Sequence, residues 1–335
     1  MLTGKELILA TKPFAKDIKW KSWYYTLSSL FLLIVAVAGT FYTPSLLVRI
    51  GSSLLVAIMI SRFFIIFHDY LHHTILYKSF AAKIIFNAFG AYMITPPSIW
   101  KRSHDHHHNH NAKLFSASIG SYPVMTVQKF MESSKGERIG YLFIRHPFNM
   151  LMSYFTMFLY GMCLQSFISS PRRHLDSLLI FVLHIATAVF LFVQFGWLTW
   201  FLTFFLPFFL SHMLGAYLFF AQHNFPGVTY KSNKDWSYAD AALASASYMK
   251  MSLVWRWITA NIGYHHVHHL NSRIPFYRLP EAMAAIPELQ HGKITTLNPS
   301  DIIKCLRLKV WDPEQNKMIT MSEIRAIEKM AAQRA

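Results

Sequence analysis

The sequence predicts an all-α integral membrane protein with about four transmembrane helices, interfacial helices and a cytosolic helical cap. Three observations predict it. Hydrophobic residues make up 53% of the 335 positions and charged residues only 14%, whereas about a quarter of the residues of soluble domains are charged. Several runs are apolar for the length of a bilayer. Histidines gather beside those runs at intervals of three and four residues, the spacing of one helix face.

The first span lies within Ser22 to Val48, which holds no charged side chain and exceeds the ~20 apolar residues that a hydrocarbon core requires. The second runs from about Leu46 to Phe67 and ends at His68. Arg49 and Arg62, near its two ends, are expected to snorkel to the interfaces. Ser177 to Tyr230 has no Asp, Glu, Lys or Arg over 54 residues, too long for one crossing and right for two, with the turn at Gly196 and Trp197. That places a third span near Leu178 to Phe195 and a fourth near Leu198 to Ala221, whose Pro207 a membrane helix tolerates.

Two further apolar stretches are Ala81 to Trp100, interrupted by Thr95-Pro96-Pro97, and Phe148 to Ile168. If the latter crossed, the histidines at 104–110 and at 265–269 would lie on opposite sides of the membrane. It is therefore read as interfacial or re-entrant, which also leaves Pro171-Arg172-Arg173-His174 on the cytosolic side, as the positive-inside tendency prefers. The chain is thus one membrane domain, 1–335. Residues 1–22 form a cytosolic N-terminus, 23–67 a transmembrane hairpin, and 68–176 two histidine groups with interfacial segments. Residues 177–221 form a second hairpin, and 222–335 a cytosolic cap with the last histidine group. From about Lys231 the cap is expected to be helical, with loops at Asn271–Pro275 and Asn298–Asp301.

The 32 Lys and Arg against 16 Asp and Glu give +16, which suits a face on anionic headgroups or an acidic partner. Nucleic acid is not expected, because the basic residues are scattered rather than massed in a stripe. Two cysteines, Cys163 and Cys305, exclude a disulfide framework, a thiolate zinc site and a Cys-ligated iron–sulfur cluster. Any metal is held by nitrogen and oxygen. The N-terminus has no secretory signal and no organelle-targeting extension, which points to a bacterial inner membrane.

Of the 18 histidines, 12 fall in three stretches: His68-Asp-Tyr-Leu-His72-His73, His104-Asp-His106-His107-His108-Asn-His110, and His265-His266-Val-His268-His269. Positions i, i+3 and i+4 of a helix share an arc of about 100°. His104, His107 and His108 satisfy this, as do His265, His268 and His269, and His68 with His72. His73 swings off its face, and His106, His110 and His266 are expected at the surface or behind the inward-facing rings. Eight convergent imidazoles exceed what one ion binds, so the cap is expected to hold a di-metal site. His223, emerging from the fourth span on the same side, is a ninth candidate. His184 and His212 are read as hydrogen-bonded structural residues. Asp69 and Asp105, inside the motifs, have two readings, as acceptors of the free N–H of a ligating ring or as charges on the helix surface.

These stretches resemble the three histidine boxes of membrane fatty acid desaturases, HxxxH(H), HxxHH and HxxHH. The flanks are similar too: Trp100-Lys-Arg-Ser-His104, Gln222-His223, Asn261-Ile-Gly-Tyr-His265, and Ile274-Pro275-Phe276-Tyr277-Arg278-Leu279 after the third box. The resemblance runs from about residue 45 to 280. It implies a mushroom-like membrane fold, two iron ions under a cytosolic cap, and desaturation of an acyl chain with dioxygen as co-substrate. The implied ligands are His68, His72, His104, His107, His108, His223, His265, His268 and His269, with His73 carried on the variable first box. The implied partners are an acyl lipid or acyl-carrier substrate and the surrounding membrane lipids. No His-Pro-Gly-Gly haem motif occurs, so electrons come from a separate donor such as ferredoxin or cytochrome b5. The same boxes serve membrane hydroxylases and carotenoid or lipid oxygenases. A non-catalytic metal-binding protein would need polar pathway residues in the spans, and Ser177 to Tyr230 offers chiefly apolar ones. The topology is tested by a single cysteine at Ser170, expected to be labelled from the cytosolic side. Labelling only from the opposite side overturns the interfacial assignment of Phe148 to Ile168.

Overall fold

The computed structural model describes residues 2–114 and 120–334. Two helical hairpins stand side by side. The first is formed by the helices Lys19–Tyr42 and Leu46–Leu71. The second is formed by Leu175–Trp200, a π-helical turn at Phe201–Phe205, and Leu206–His223. Three runs are long and apolar enough to cross a membrane: Lys19–Tyr42, Leu46–Leu71 and Leu175–His223. The third contains both legs of the second hairpin. It breaks at Gly196, with φ 77° and ψ 168°, a conformation that side chains with a Cβ avoid. Beyond the break the chain folds back, bringing Phe204 and Phe208 to 4.6 and 4.9 Å from the ring of His184.

The hairpin tips meet. The hydroxyls of Thr40 and Thr203 lie 2.7 Å apart, and Arg49 donates to the Thr40 carbonyl at 2.7 Å and to Thr199 Oγ1 at 2.8 Å. Within the first hairpin, Lys19–Tyr42 buries a stripe of mostly small residues, Ser22, Thr26, Ser29, Ala36 and Thr40, which lets its neighbour approach closely. Leu46–Leu71 packs against Lys19–Tyr42 and against Leu206–His223 of the second hairpin and buries Val56, Met59, Ile60, Phe63, Ile66 and Phe67 before reaching His68. Arg62 departs from expectation. It does not snorkel but is 3% exposed, held by Ser29 Oγ at 3.0 Å and by the carbonyl of Trp257.

The remaining chain gathers at the hairpins' open end. Phe80–Tyr92 and Pro97–His110 are separate helices, broken at the Thr95-Pro96-Pro97 stretch. Residues 147–169 form a short helix, a π-helical stretch Tyr154–Gln165 and a last turn, Ser166–Ser169. Arg145, just before, bonds to Asn224 at the exit of the second hairpin, and His174, just after, immediately precedes its entrance. Between them, Tyr154 bonds to His184 at 2.7 Å, well down the hairpin leg. The segment therefore dips between the helices and returns to the end from which it left.

The all-α expectation needs correcting. The fold is mostly helical, but the cap contains two small sheets. Strand β1 (Tyr248–Lys250) pairs in parallel with β2 (Ile294–Thr296), and β3 (Leu308–Asp312) pairs antiparallel with β4 (Lys317–Thr320). Val310, Trp311 and Ile319 are side chains that suit a buried sheet. Asn271–Pro275 is a loop. Asn298 instead caps the helix Pro299–Arg307, because proline at the first position and Asp301 in the first turn favour a helix start. Gly196→Ala is expected to destabilise the protein by about 1–3 kcal/mol, read as a lower unfolding midpoint in detergent. No loss would show that the hairpin does not depend on this conformation.

Candidate metal centre

Each histidine group is delivered by a helix anchored elsewhere. His68 lies in the last turn of Leu46–Leu71, with His72 as the C-cap. The second group rides on Pro97–His110. There Asp176 accepts from the Ser98 amide at 3.0 Å and from its hydroxyl at 2.6 Å, satisfying an otherwise orphan first-turn donor. Trp100 stacks on His104 at 4.7 Å and fixes the ring plane. The third group sits on His265–Leu270, every residue of which is buried. Gly263 precedes it and accepts from Met249 N at 2.8 Å. A Cβ at Gly263 would lie 2.5 Å from the Met249 carbonyl oxygen, so glycine is required for this approach.

The imidazoles form two groups whose ligand atoms lie within 4.8 Å of one another: His68, His72, His104, His108 and His268, and His107, His223, His265 and His269. Helix geometry explains the division. On each HxxHH helix the i, i+4 pair serves one group and the i+3 ring, rotated about 100° from its i+4 neighbour, serves the other. Thus His104 and His108 face the first group and His107 the second, while His265 and His269 face the second and His268 the first. The groups are adjacent, with the rings of His108 and His269 stacked at 4.3 Å.

The rings fit metal ions better than they fit one another. The Ser245 carbonyl can only accept, so the His223 Nδ1 at 3.0 Å carries the proton and its Nε2 is a bare lone pair. Two further Nε2 atoms approach that lone pair, His265 at 2.8 Å and His107 at 3.1 Å. His107 turns its Nδ1 to Ser121 Oγ at 2.5 Å, and His68 turns its own to Asp69 Oδ1 at 3.3 Å. In the first group, the Nε2 atoms of His68, His72 and His108 stand 2.8, 2.9 and 3.1 Å from that of His104. One N–H can satisfy one facing lone pair, not three, whereas a cation satisfies all of them. Burial, and then the neighbouring imidazoles, hold His104, His107, His108, His265 and His269 well below the ordinary histidine value, and burial with His68 and His223 does so for His268. The rings are therefore neutral, the state in which imidazole binds a metal.

Other candidates fall outside these groups. His73 has a left-handed φ of 58° and packs on Tyr77 at 4.0 Å. Asp105 pairs with Lys101 at 2.5 Å on the surface rather than with a ring. Asp69 is buried, contacts His68 and accepts from the Phe276 amide at 2.7 Å. His106 and His110 stack at 4.0 Å. His266 is not at the surface; it is fully buried and donates to the Leu289 carbonyl at 2.8 Å. His184 and His212 are hydrogen-bonded, to Tyr154 and to the Phe208 carbonyl. Sequence reasoning missed Ser121, Ser245 and the Ser98–Asp176 clasp. They lie 14, 22 and 78 residues from their partners, beyond any local spacing rule.

Residues 44–296 match the family model described as fatty acid desaturase. The chain belongs to the fatty acid desaturase family. It is 28% identical to a fatty acid desaturase of Bacillus subtilis (strain 168) over 284 residues, 84% of this chain and 80% of that one. It is 26% identical to the sn-1 oleoyl-lipid 12-desaturase of Synechocystis sp. over 281 residues, covering 80% and 76% of the two chains. The chloroplastic omega-6 fatty acid desaturase of Spinacia oleracea is 24% identical over 241 residues, 68% of this chain and 51% of that one. The family match spans all three boxes, so the desaturase family and the paired imidazole groups meet on the same residues.

Metal analysis of purified protein tests the division into two groups. His268→Ala and His265→Ala are each expected to lower metal content, and His73→Ala to leave it unchanged. Asp69→Asn is expected to weaken metal affinity about 10–100-fold, whereas Asp105→Asn has no effect. Equal losses from Asp69 and Asp105 variants would reject the role given to Asp69.

Proposed function

We propose that the chain is an O2-dependent desaturase that introduces a double bond into a lipid-linked or carrier-linked acyl chain. His68, His72, His104, His108 and His268 would hold one iron, and His107, His223, His265 and His269 a second. The observation that carries the reading is the convergence of nine imidazoles, seven of them buried and two partly buried, into two adjacent groups in a chain of this family. Such a pair supplies, with dioxygen and two electrons from a separate donor such as ferredoxin or cytochrome b5, the oxidising power that no side chain has toward an unactivated methylene. The balance is one –CH2–CH2– unit, O2, two electrons and two protons giving –CH=CH– and two waters.

The chain's own residues orient and exclude. Ser121, Asp69 and the Ser245 carbonyl hold the outer nitrogens of His107, His68 and His223, turning each Nε2 inward. An apolar cavity of about 640 Å³ lies between the hairpins and Phe80–Tyr92, lined by Leu33, Val37, Phe89, Tyr92, Leu191 and Phe204 among others. Phe67 packs on Phe89 at 5.7 Å and on Trp100 at 6.0 Å, and Trp100 stacks on His104. A chain of packed aromatic rings thus runs from the cavity to the imidazoles, and the apolar lining suits the hydrocarbon tail of a substrate. The oleoyl-lipid substrate in the name of the Synechocystis relative supports a membrane acyl chain. The hairpins are read as four crossings of a bacterial inner membrane, with the imidazoles at its cytosolic face.

Lipid analysis of a host expressing the chain against a His268→Ala control tests the reading. A new double bond, located by mass spectrometry and absent with His268→Ala, is expected. Hydroxylated lipid, or unchanged lipid despite bound iron and a supplied donor, overturns it.

A further inference from the structure

Arg62 is buried in the first hairpin and has no carboxylate partner among the described residues. Its Nε donates to Ser29 Oγ and its Nη1 to the Trp257 carbonyl. The guanidinium lies 4.3 Å from the ring of Trp257 and 5.8 Å from that of Tyr25. These contacts offset part of the cost of burying a cation, and no carboxylate among the described residues supplies the remainder. Arg62 lines a cavity of about 190 Å³ together with Arg256, Tyr25, Trp257, Asn261 and Tyr277. Arg256 likewise has no carboxylate partner among the described residues. It reaches Asn261 Oδ1 at 3.4 Å and lies over the ring of Tyr264 at 5.2 Å. Two unpaired guanidinium groups bordering one small cavity make a receptor for an anion with several acceptor oxygens.

The surroundings choose a lipid over a soluble anion. The cavity opens between Tyr25 on one leg of the first hairpin and Arg62 on the other, near the end where the histidines gather. The helix Leu253–Ile258 beside it leaves Leu253 78%, Val254 66% and Trp257 44% exposed, the apolar and tryptophan side chains of a membrane interface. The cavity also adjoins the metal centre. Phe276 lines it, and the amide of Phe276 donates to Asp69, which contacts His68.

We propose that the cavity between Arg62 and Arg256 binds the headgroup phosphodiester of a glycerophospholipid, the class of substrate whose acyl chain is desaturated; this rests on the desaturase reading of the imidazole site. The two arginines fix the phosphate at the interface, and the acyl chains pass from there into the bilayer-level interior beside the metal groups.

The test is native mass spectrometry of the full chain in detergent, titrated with phosphatidylglycerol, with diacylglycerol of the same acyl chains, and with the matching coenzyme A thioester. Phosphatidylglycerol is expected to bind about tenfold tighter than diacylglycerol. Arg256→Gln, at a half-buried position, is expected to remove most of that preference, and Arg62→Gln with Arg256→Gln the whole of it. Metal content and the unfolding midpoint, followed alongside, identify a variant that fails to fold, in which case Arg256→Gln alone decides. Equal binding of the phospholipid and diacylglycerol, a preference that survives both substitutions, or tighter arginine-dependent binding of the thioester each overturns the proposal. A chain that binds phosphatidylglycerol through these arginines but forms no double bond sinks the desaturase reading and leaves the headgroup site standing.

Discussion

Nine imidazoles turned toward one another are the constraint on which the rest of the structure depends. Nε2 atoms 2.8–3.2 Å apart cannot all be satisfied by one another, so the rings gain little from their neighbours and are held from outside. Their helices must be fixed before any ion can draw them together. The hairpin tips are tied through Thr40, Thr203 and Arg49, the second-box helix is clasped by Asp176, and Phe276 ties the segment after the third box to Asp69. Each clasp is polar and joins distant parts of the chain, and each restricts the rotation of a helix that carries these rings.

The exchange of the i+3 ring between groups makes the two centres one mechanical unit. The Pro97–His110 helix contributes to both groups, as does His265–Leu270. Rotating either helix by one residue, about 100°, would remove rings from both groups at once. Here the register of each helix is set twice, which accounts for a tryptophan stacked on the first ring of one box and a glycine-dependent backbone contact two residues before the other.

The site was legible in the sequence because its signal is local: HxxxH and HxxHH repeat the helix period within six residues. The long apolar helices were legible because apolar runs are contiguous, and the turn at Gly196 because glycine tolerates the backbone angles found there. What was not legible depends on pairing across long stretches of chain. Arg62 looked like a snorkelling residue because its partners, Ser29 and the Trp257 carbonyl, lie 33 and 195 residues away. The strands of the cap are three to five residues long, too short to show a period of two against their flanks. His73 shares a box with two ring donors, and the helix spacing already swings it off their face; the left-handed backbone at that position is what the spacing does not announce.

His223 shows how a lone ligand is made reliable. The other eight rings arrive as members of an i, i+4 pair or beside one on the same helix, so a neighbour helps to set each position. His223 arrives alone, on the last residue of its helix, where backbone groups lack intrahelical partners and ends fray. Three separate elements hold it. Tyr230 donates to its carbonyl at 3.0 Å, and the Ser245 carbonyl takes its Nδ1 proton. The next residue, Asn224, accepts from buried Arg145 and donates to the carbonyls of Cys305 and Leu308. Lys309 donates in turn to the Arg145 carbonyl at 2.8 Å. The dipping segment, the β3–β4 sheet of the cap and the second hairpin therefore meet at one helix end, and the cap does more than cover the imidazoles. It supplies the rigidity that a second histidine on the same helix would otherwise provide.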